Sequence, residues 1–146
     1  MASSETSKSP KLFTAAEANA MLPLVRAIVK DIVSRAKDLR DRQERIDRIR
    51  TSKATASGDV YAAEIGQAEQ ELERDQDQLL ECQAELAALG VELKDFFSGL
   101  IDFPSRMDDR IVYLCWRFDE PSVAFWHELD AGFAGRQKLV PDCAHV

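Results

Sequence analysis

Two consecutive stretches of this chain place an apolar residue at every third or fourth position, and they carry opposite charge. In the first, Val25, Ile28, Ile32, Leu39, Ile46 and Ile49 form a helical stripe. In the second, Tyr61, Ile65, Ala68, Leu72, Asp75, Leu79, Cys82, Leu86 and Leu89 form a heptad-like series. From Arg26 to Lys53 there are ten basic and five acidic side chains, a net of +5. From Asp59 to Leu89, Arg74 faces nine acidic side chains, a net of −8. Opposite charge on neighbouring amphipathic helices favours their lying side by side, so residues 12–90 are expected to form a long antiparallel hairpin.

The ends of the hairpin are marked. Thr14-Ala15-Ala16-Glu17 is a capping box: the hydroxyl and the carboxylate each accept from the other residue's amide. Phe13 precedes the cap and is placed to staple onto Ala18. Pro23 is expected to kink the helix. The polar run from Thr51 to Gly58 reads as the turn, and Gly90 as a left-handed C-terminal cap. Folding about the turn sets Ile46 near Ile65, Leu39 near Leu72 and Ile32 near Leu79. It also sets Arg35 beside Asp75 in the seam, where a polar pair would fix register.

After Gly90 the period changes to two. Val91–Asp95 alternates and reads as a short strand or extended link. Leu100–Phe103 reads as a strand closed by Pro104, followed by a polar loop from Ser105 to Arg110. Ile111–Phe118 and Val123–Leu129 read as strands joined by the turn Asp119-Glu120-Pro121-Ser122. The expected fold is α+β: the hairpin, then a small antiparallel three-stranded sheet in residues 91–139, packed on the hairpin base. Residues 1–11 read as a disordered arm and residues 140–146 as a loose tail, around one domain at 12–139.

If Phe118 faces Val123 across the turn, Trp116 faces Phe125 and Leu114 faces His127. Val112, Leu114, Trp116 and Phe118 then share an apolar face with Val123, Phe125 and Leu129. The opposite face holds Tyr113, Cys115, Arg117, Ala124, Trp126 and Glu128, with Asp102 from the preceding strand. Its mixture of aromatic, arginine and carboxylate marks it as the candidate surface. Trp126 beside Arg117 is a recognition platform in this reading, against plain packing. His127 is either a core-edge histidine bonded to a carbonyl or a ligand or base grouped with Glu128 and Asp130. One histidine on a strand does not make a helical zinc-protease motif, so the metal signal rests on His127 and Asp130 alone. Cys115 reads as a small core hydrophobe before a nucleophile. Gly132-Phe133-Ala134-Gly135-Arg136 lacks the lysine and serine of a phosphate loop and reads as a turn that seats Phe133, with Arg136 available to an anion. Cys143 and His145 fall in the tail and are not counted as ligands.

Several segments together resemble a bacterial family known only as domain of unknown function 2203. They are Phe13-Thr14-Ala15-Ala16-Glu17-Ala18-Asn19 with Leu22-Pro23, then Gly90-Val91-Glu92-Leu93-Lys94-Asp95, then Gly99-Leu100-Ile101-Asp102-Phe103-Pro104. The later ones are Val112-Tyr113-Leu114-Cys115-Trp116-Arg117, Glu120-Pro121, Phe125-Trp126-His127 and Gly132-Phe133-Ala134-Gly135-Arg136. The resemblance runs from Phe13 to about Leu139. It implies a bacterial cytoplasmic protein and supplies no catalytic residues. It does cover Asp102, Arg117, Trp126, His127 and Arg136.

Functional expectations follow from these features. The first is a protein-interaction or assembly module, with a protein partner or self-association through the helices. The alternative is a small-molecule or metal-binding protein, with a site on the sheet made from Asp102, Arg117, Trp126, His127, Glu128 and Arg136. No motif asks for an organic cofactor. Nucleic-acid binding is disfavoured, because the −8 helix neutralises the field of the +5 helix. No apolar run spans a bilayer, and no stripe combines large aromatics with a lysine-rich face. Three widely spaced cysteines argue against a disulfide framework and for a reducing, cytoplasmic setting.

Overall fold

The fold is taken from a computed structural model, which describes residues 11–52 and 59–140. The expected arm at 1–10, the centre of the hairpin turn and the tail with Cys143 and His145 lie outside the described residues, as does the side chain of Tyr61. Helix α1 spans Ala15–Ser52 and α2 spans Asp59–Ala88. Five strands follow: β1 Glu92–Asp95, β2 Leu100–Met107, β3 Arg110–Arg117, β4 Phe125–Glu128 and β5 Gln137–Lys138. A 3-10 turn at Phe133–Gly135 precedes β5. The architecture is α+β, as expected.

Both helix termini form as their residues dictate. The Thr14 amide donates to Glu17 Oε1 at 2.9 Å, and the Glu17 amide to Thr14 Oγ1 at 3.0 Å. At the end of α2, the Val91 amide reaches Leu86 O and the Gly90 amide reaches Ala87 O, with Gly90 at φ 92°. That is a Schellman motif, and its apolar pair, Leu86 and Val91, is buried. Helix α1 continues through Pro23.

The seam of the hairpin buries Ile32, Leu39, Ile46, Leu72, Leu79 and Leu86 in the same cluster as the sheet side chains Ile101, Phe103, Leu114 and Trp116. Charges pair across it, basic on α1 and acidic on α2: Arg42 with Asp75 at 2.7 Å, and Arg50 with Glu69. The expected Arg35–Asp75 pair does not form. Arg35 turns to Asp31, one turn back on its own helix at 3.2 Å, and Asp75 is taken by Arg42 at 2.7 Å.

The sheet is an antiparallel meander in the order β1-β2-β3-β4-β5, so it has five strands where three were expected. The short alternating segment after Gly90 pairs as β1, with a register shift between Leu93 and Asp95, and two residues after the 3-10 turn add β5. Strand β2 does not stop at Pro104. Its pairing with β1 ends at Asp102, so proline sits where one side of the strand carries no sheet neighbour. There the Phe13 amide donates to Pro104 O at 2.7 Å, and Ser105 Oγ donates to Phe13 O at 2.6 Å. The expected polar loop is a tight hairpin: Met107 pairs with Arg110 around Asp108 and Asp109, whose φ of 52° and 65° make a type I′ turn.

The β3–β4 register differs from the expected one by a single residue. Cys115 faces Phe125, Leu114 faces Trp126, Tyr113 faces His127 and Val112 faces Glu128. The cause lies in α1. Asn19 holds the Val123 backbone through both its amide oxygen (2.8 Å) and nitrogen (3.2 Å). Arg26 donates to the carbonyls of Phe118, Glu120 and Pro121. These side chains satisfy backbone groups that a tight hairpin would have paired, so the ladder opens before Phe118. A one-residue slip turns every side chain of β4 to the other face.

Candidate functional site

The slip decides what meets on the outer face of the sheet. Asp102 on β2 faces Cys115 on β3, and His127 on β4 turns to the same side as both. All three are buried, at 2%, 0% and 2% exposure. Their ligand atoms lie within 4.8 Å of one another.

His127 Nε2 stands 3.1 Å from each oxygen of Asp102, and Nδ1 stands 2.7 Å from the Glu128 carbonyl. A carbonyl only accepts, so Nδ1 carries a proton. Nε2 then shares a second proton with the carboxylate, as imidazolium and carboxylate or as imidazole and acid. Burial pushes the Asp102 carboxyl up, and the imidazole and the Cys115 thiol, both bonded to it, pull it back in part. Burial, with the Asp102 charge, pushes Cys115 up to about 12. By itself this thiol is inert as a nucleophile. Tyr113 borders the trio: its ring lies 5.5 Å from that of His127, and its hydroxyl bonds Glu92 at 3.0 Å. Lys94 pairs with Glu92 at 2.9 Å.

The remaining expected site residues are placed elsewhere. Trp126 turns inward and packs on the core, and the cation over its ring is Arg110, at 5.6 Å. The Trp126–Arg117 platform therefore does not exist. Arg117 pairs with Asp119 at 2.8 Å and lies over Phe133. Glu128 turns away from His127 and pairs with Arg110 at 2.6 Å, and Asp130 is exposed beyond β4. Neither carboxylate joins His127. The Arg136 guanidinium has a carboxylate partner within the chain, while its buried Nε has no hydrogen-bond partner among the described residues. It pairs with Glu120 at 2.8 Å and stacks on Phe125 and Phe133, 4.1 and 4.6 Å from the ring centres. Phe133 stays 40% exposed, and Leu129, expected on the apolar face, is 54% exposed. Cys115 is the member that sequence reasoning read as core. Its signal was available, since it faces Asp102 directly once β2 and β3 pair from their hairpin.

A second feature lies where the hairpin leaves the sheet. Ala36, Leu39, Arg40 and Gln43 of α1, Leu72, Gln76 and Leu79 of α2, and Phe96 and Phe97 of the β1–β2 turn line an apolar groove of about 300 Å³. Phe97 is 40% exposed, with the Arg40 guanidinium 4.4 Å from its ring centre. Leu80, one turn beyond Gln76, is 56% exposed.

The model of the family described as "Uncharacterized conserved protein (DUF2203)" matches residues 11–139. The chain belongs to this family. The match takes in both helices and all five strands, and with them the trio and the groove. No curated protein and no solved structure matches the chain. No helix among the described residues is long and apolar enough to cross a membrane.

Proposed function

We propose that this DUF2203 protein is an assembly module and that its partner is a second copy of itself, docked hairpin to hairpin. The observation that carries the reading is the apolar groove at Leu39, Leu72, Leu79, Phe96 and Phe97. Charge argues for a second copy as its occupant. A two-fold axis along the hairpin sets each +5 α1 beside the partner's −8 α2, with like-charged helices on the diagonals of a four-helix bundle. Exposed Leu80 and Phe97 then bury at the contact. Two free cysteines among the described residues, one of them buried, support a reducing cytoplasm as the setting.

Sedimentation equilibrium tests this. The full chain is expected to dimerise reversibly. Phe97→Asp is expected to weaken the dimer by roughly 100-fold, as for a central apolar contact, with the circular dichroism unchanged. A wild-type chain that stays monomeric into the hundreds of micromolar, roughly the weak limit of specific association, contradicts the reading.

A second reading, a ligand site on the sheet around His127, is supported by the buried trio.

A further inference from the structure

Resting on that second reading, the structure assigns its ligand: we propose that Asp102, Cys115 and His127 form a binding site for a divalent transition metal of the zinc class.

The first observation is how the donors are delivered. Three adjacent strands each contribute one side chain to a single buried point. Strand geometry is stiffer than loop geometry, so the three donors are held together before any ion arrives. Second, the imidazole is oriented as in metal centres. Nδ1–H is committed to the Glu128 carbonyl at 2.7 Å, which leaves Nε2 directed at the cluster. A fixed outer hydrogen bond of this kind sets the tautomer of a ligating histidine.

Third, the donor set is selective. One oxygen, one sulfur and one nitrogen suit zinc or cobalt, whereas magnesium and calcium take oxygen donors. Around a tetrahedral zinc with bonds of about 2.0–2.3 Å, neighbouring donors sit roughly 3.3–3.8 Å apart. The present Nε2–Oδ separation of 3.1 Å and the 4.8 Å limit for the trio bracket that spacing.

Fourth, the charges balance. Without metal, the trio holds an imidazole–carboxylate pair with its shared proton and a neutral thiol, and its net charge is zero. With a divalent cation, a neutral imidazole, a carboxylate and a thiolate, the net is again zero. Two protons leave as the ion enters, one from the pair and one from sulfur, so neither state buries an uncompensated charge. Three protein donors leave one tetrahedral position for a water molecule or a further donor.

Cobalt(II) is the probe. The full-length protein, stripped with chelator and dialysed, is titrated with Co²⁺ and then with Zn²⁺. The expected result is one equivalent of Co²⁺ giving a cobalt–sulfur charge-transfer band and intense tetrahedral d–d bands, both abolished by Zn²⁺. Cys115→Ser is expected to lose the charge-transfer band. His127→Gln is expected to lose the tetrahedral spectrum, and Cys143→Ser to keep both. If His127→Gln fails to fold, Cys115→Ser, which swaps sulfur for oxygen at constant shape, decides alone. Absence of a thiolate band in the wild type overturns the proposal. So does a band that survives Cys115→Ser and disappears in Cys143→Ser. An organic mass that stays bound through native mass spectrometry, is lost in His127→Gln and accompanies a blank cobalt titration would leave a ligand site at His127 and remove the metal. Neither metal nor bound mass would remove both.

Discussion

Asp102→Ala is expected to cost the fold about 3–5 kcal/mol, the range for removing one partner of a buried ion pair. Asp102 and His127 are each 3% exposed at the side chain, and no solvent is at hand to replace the missing carboxylate. The substitution leaves the Nε2 side of a buried imidazole without an acceptor and strips Cys115 of the group its thiol bonds. His127→Ala is expected to cost a similar amount, because it isolates a carboxyl that burial already pushes up. The two effects are not expected to add. In a double-mutant cycle the Asp102→Ala/His127→Ala variant is expected to cost at least about 1 kcal/mol less than the sum of the single losses, since neither member of the pair is then left buried opposite a missing partner. Urea unfolding at neutral pH measures all four corners. Single losses below about 1 kcal/mol would mean that the pair is solvated, in the range of exposed ion pairs.

The second large effect concerns the turn before β2. Gly99 has φ +68°, and a Cβ there would stand 2.7 Å from the Phe118 Cβ, 2.8 Å from Val29 Cγ1 and 3.1 Å from Val33 Cγ2. Gly99→Ala therefore meets two penalties: a left-handed backbone, about 1–2 kcal/mol, and overpacking against α1, about 1–3 kcal/mol. Together the expected destabilisation is about 2–5 kcal/mol. Two other glycines serve as internal standards. Gly132 has φ +67° and ψ −168°, a region essentially confined to glycine, with nothing within 4 Å of a new Cβ, so Gly132→Ala should show a backbone cost alone, about 1–3 kcal/mol. Gly66 lies inside α2 with open space around it, so Gly66→Ala should stabilise by up to about 1 kcal/mol. A Gly99→Ala cost below about 1 kcal/mol would contradict the packing of the β1–β2 turn on α1.

The parts of this fold that are legible in the sequence are those written by local rules. The capping box at Thr14 and Glu17, the stripe from Ile32 to Leu86 and the glycine cap at Gly90 each depend on a few neighbouring residues, and each forms as expected. What escaped depends on residues far apart. The β3–β4 register is set by Asn19 and Arg26, about a hundred positions upstream, and no turn statistic contains them. Pro104 seemed to end a strand, yet the missing β1 neighbour and the Phe13 amide make it compatible with one. Asp108-Asp109 lacks the glycine that usually signals a type I′ turn.

The candidate site was legible to the same degree. Asp102 and His127 stood out by type, but a register wrong by one residue faced His127 to Leu114 on the apolar side and put Trp126 on the outer face. The correct register exchanges them, turning Trp126 into the core and His127 towards Asp102 and Cys115. Arg117 and Arg136 looked available because sequence does not show that Asp119 and Glu120, in the turn next door, fold back onto them.

The central claim is that His127 is held between the Glu128 carbonyl and the Asp102 carboxylate, out of contact with water. The most direct test is a long-range proton–nitrogen correlation spectrum of the uniformly nitrogen-15-labelled, metal-free chain, which contains two histidines. The account predicts a His127 ring with both nitrogens hydrogen-bonded and ring protons slow to exchange with solvent. Asp102→Asn should remove the protected signal assigned to Nε2. A His127 ring with rapidly exchanging protons, unchanged by that substitution, would contradict the account and the β-strand register on which it rests.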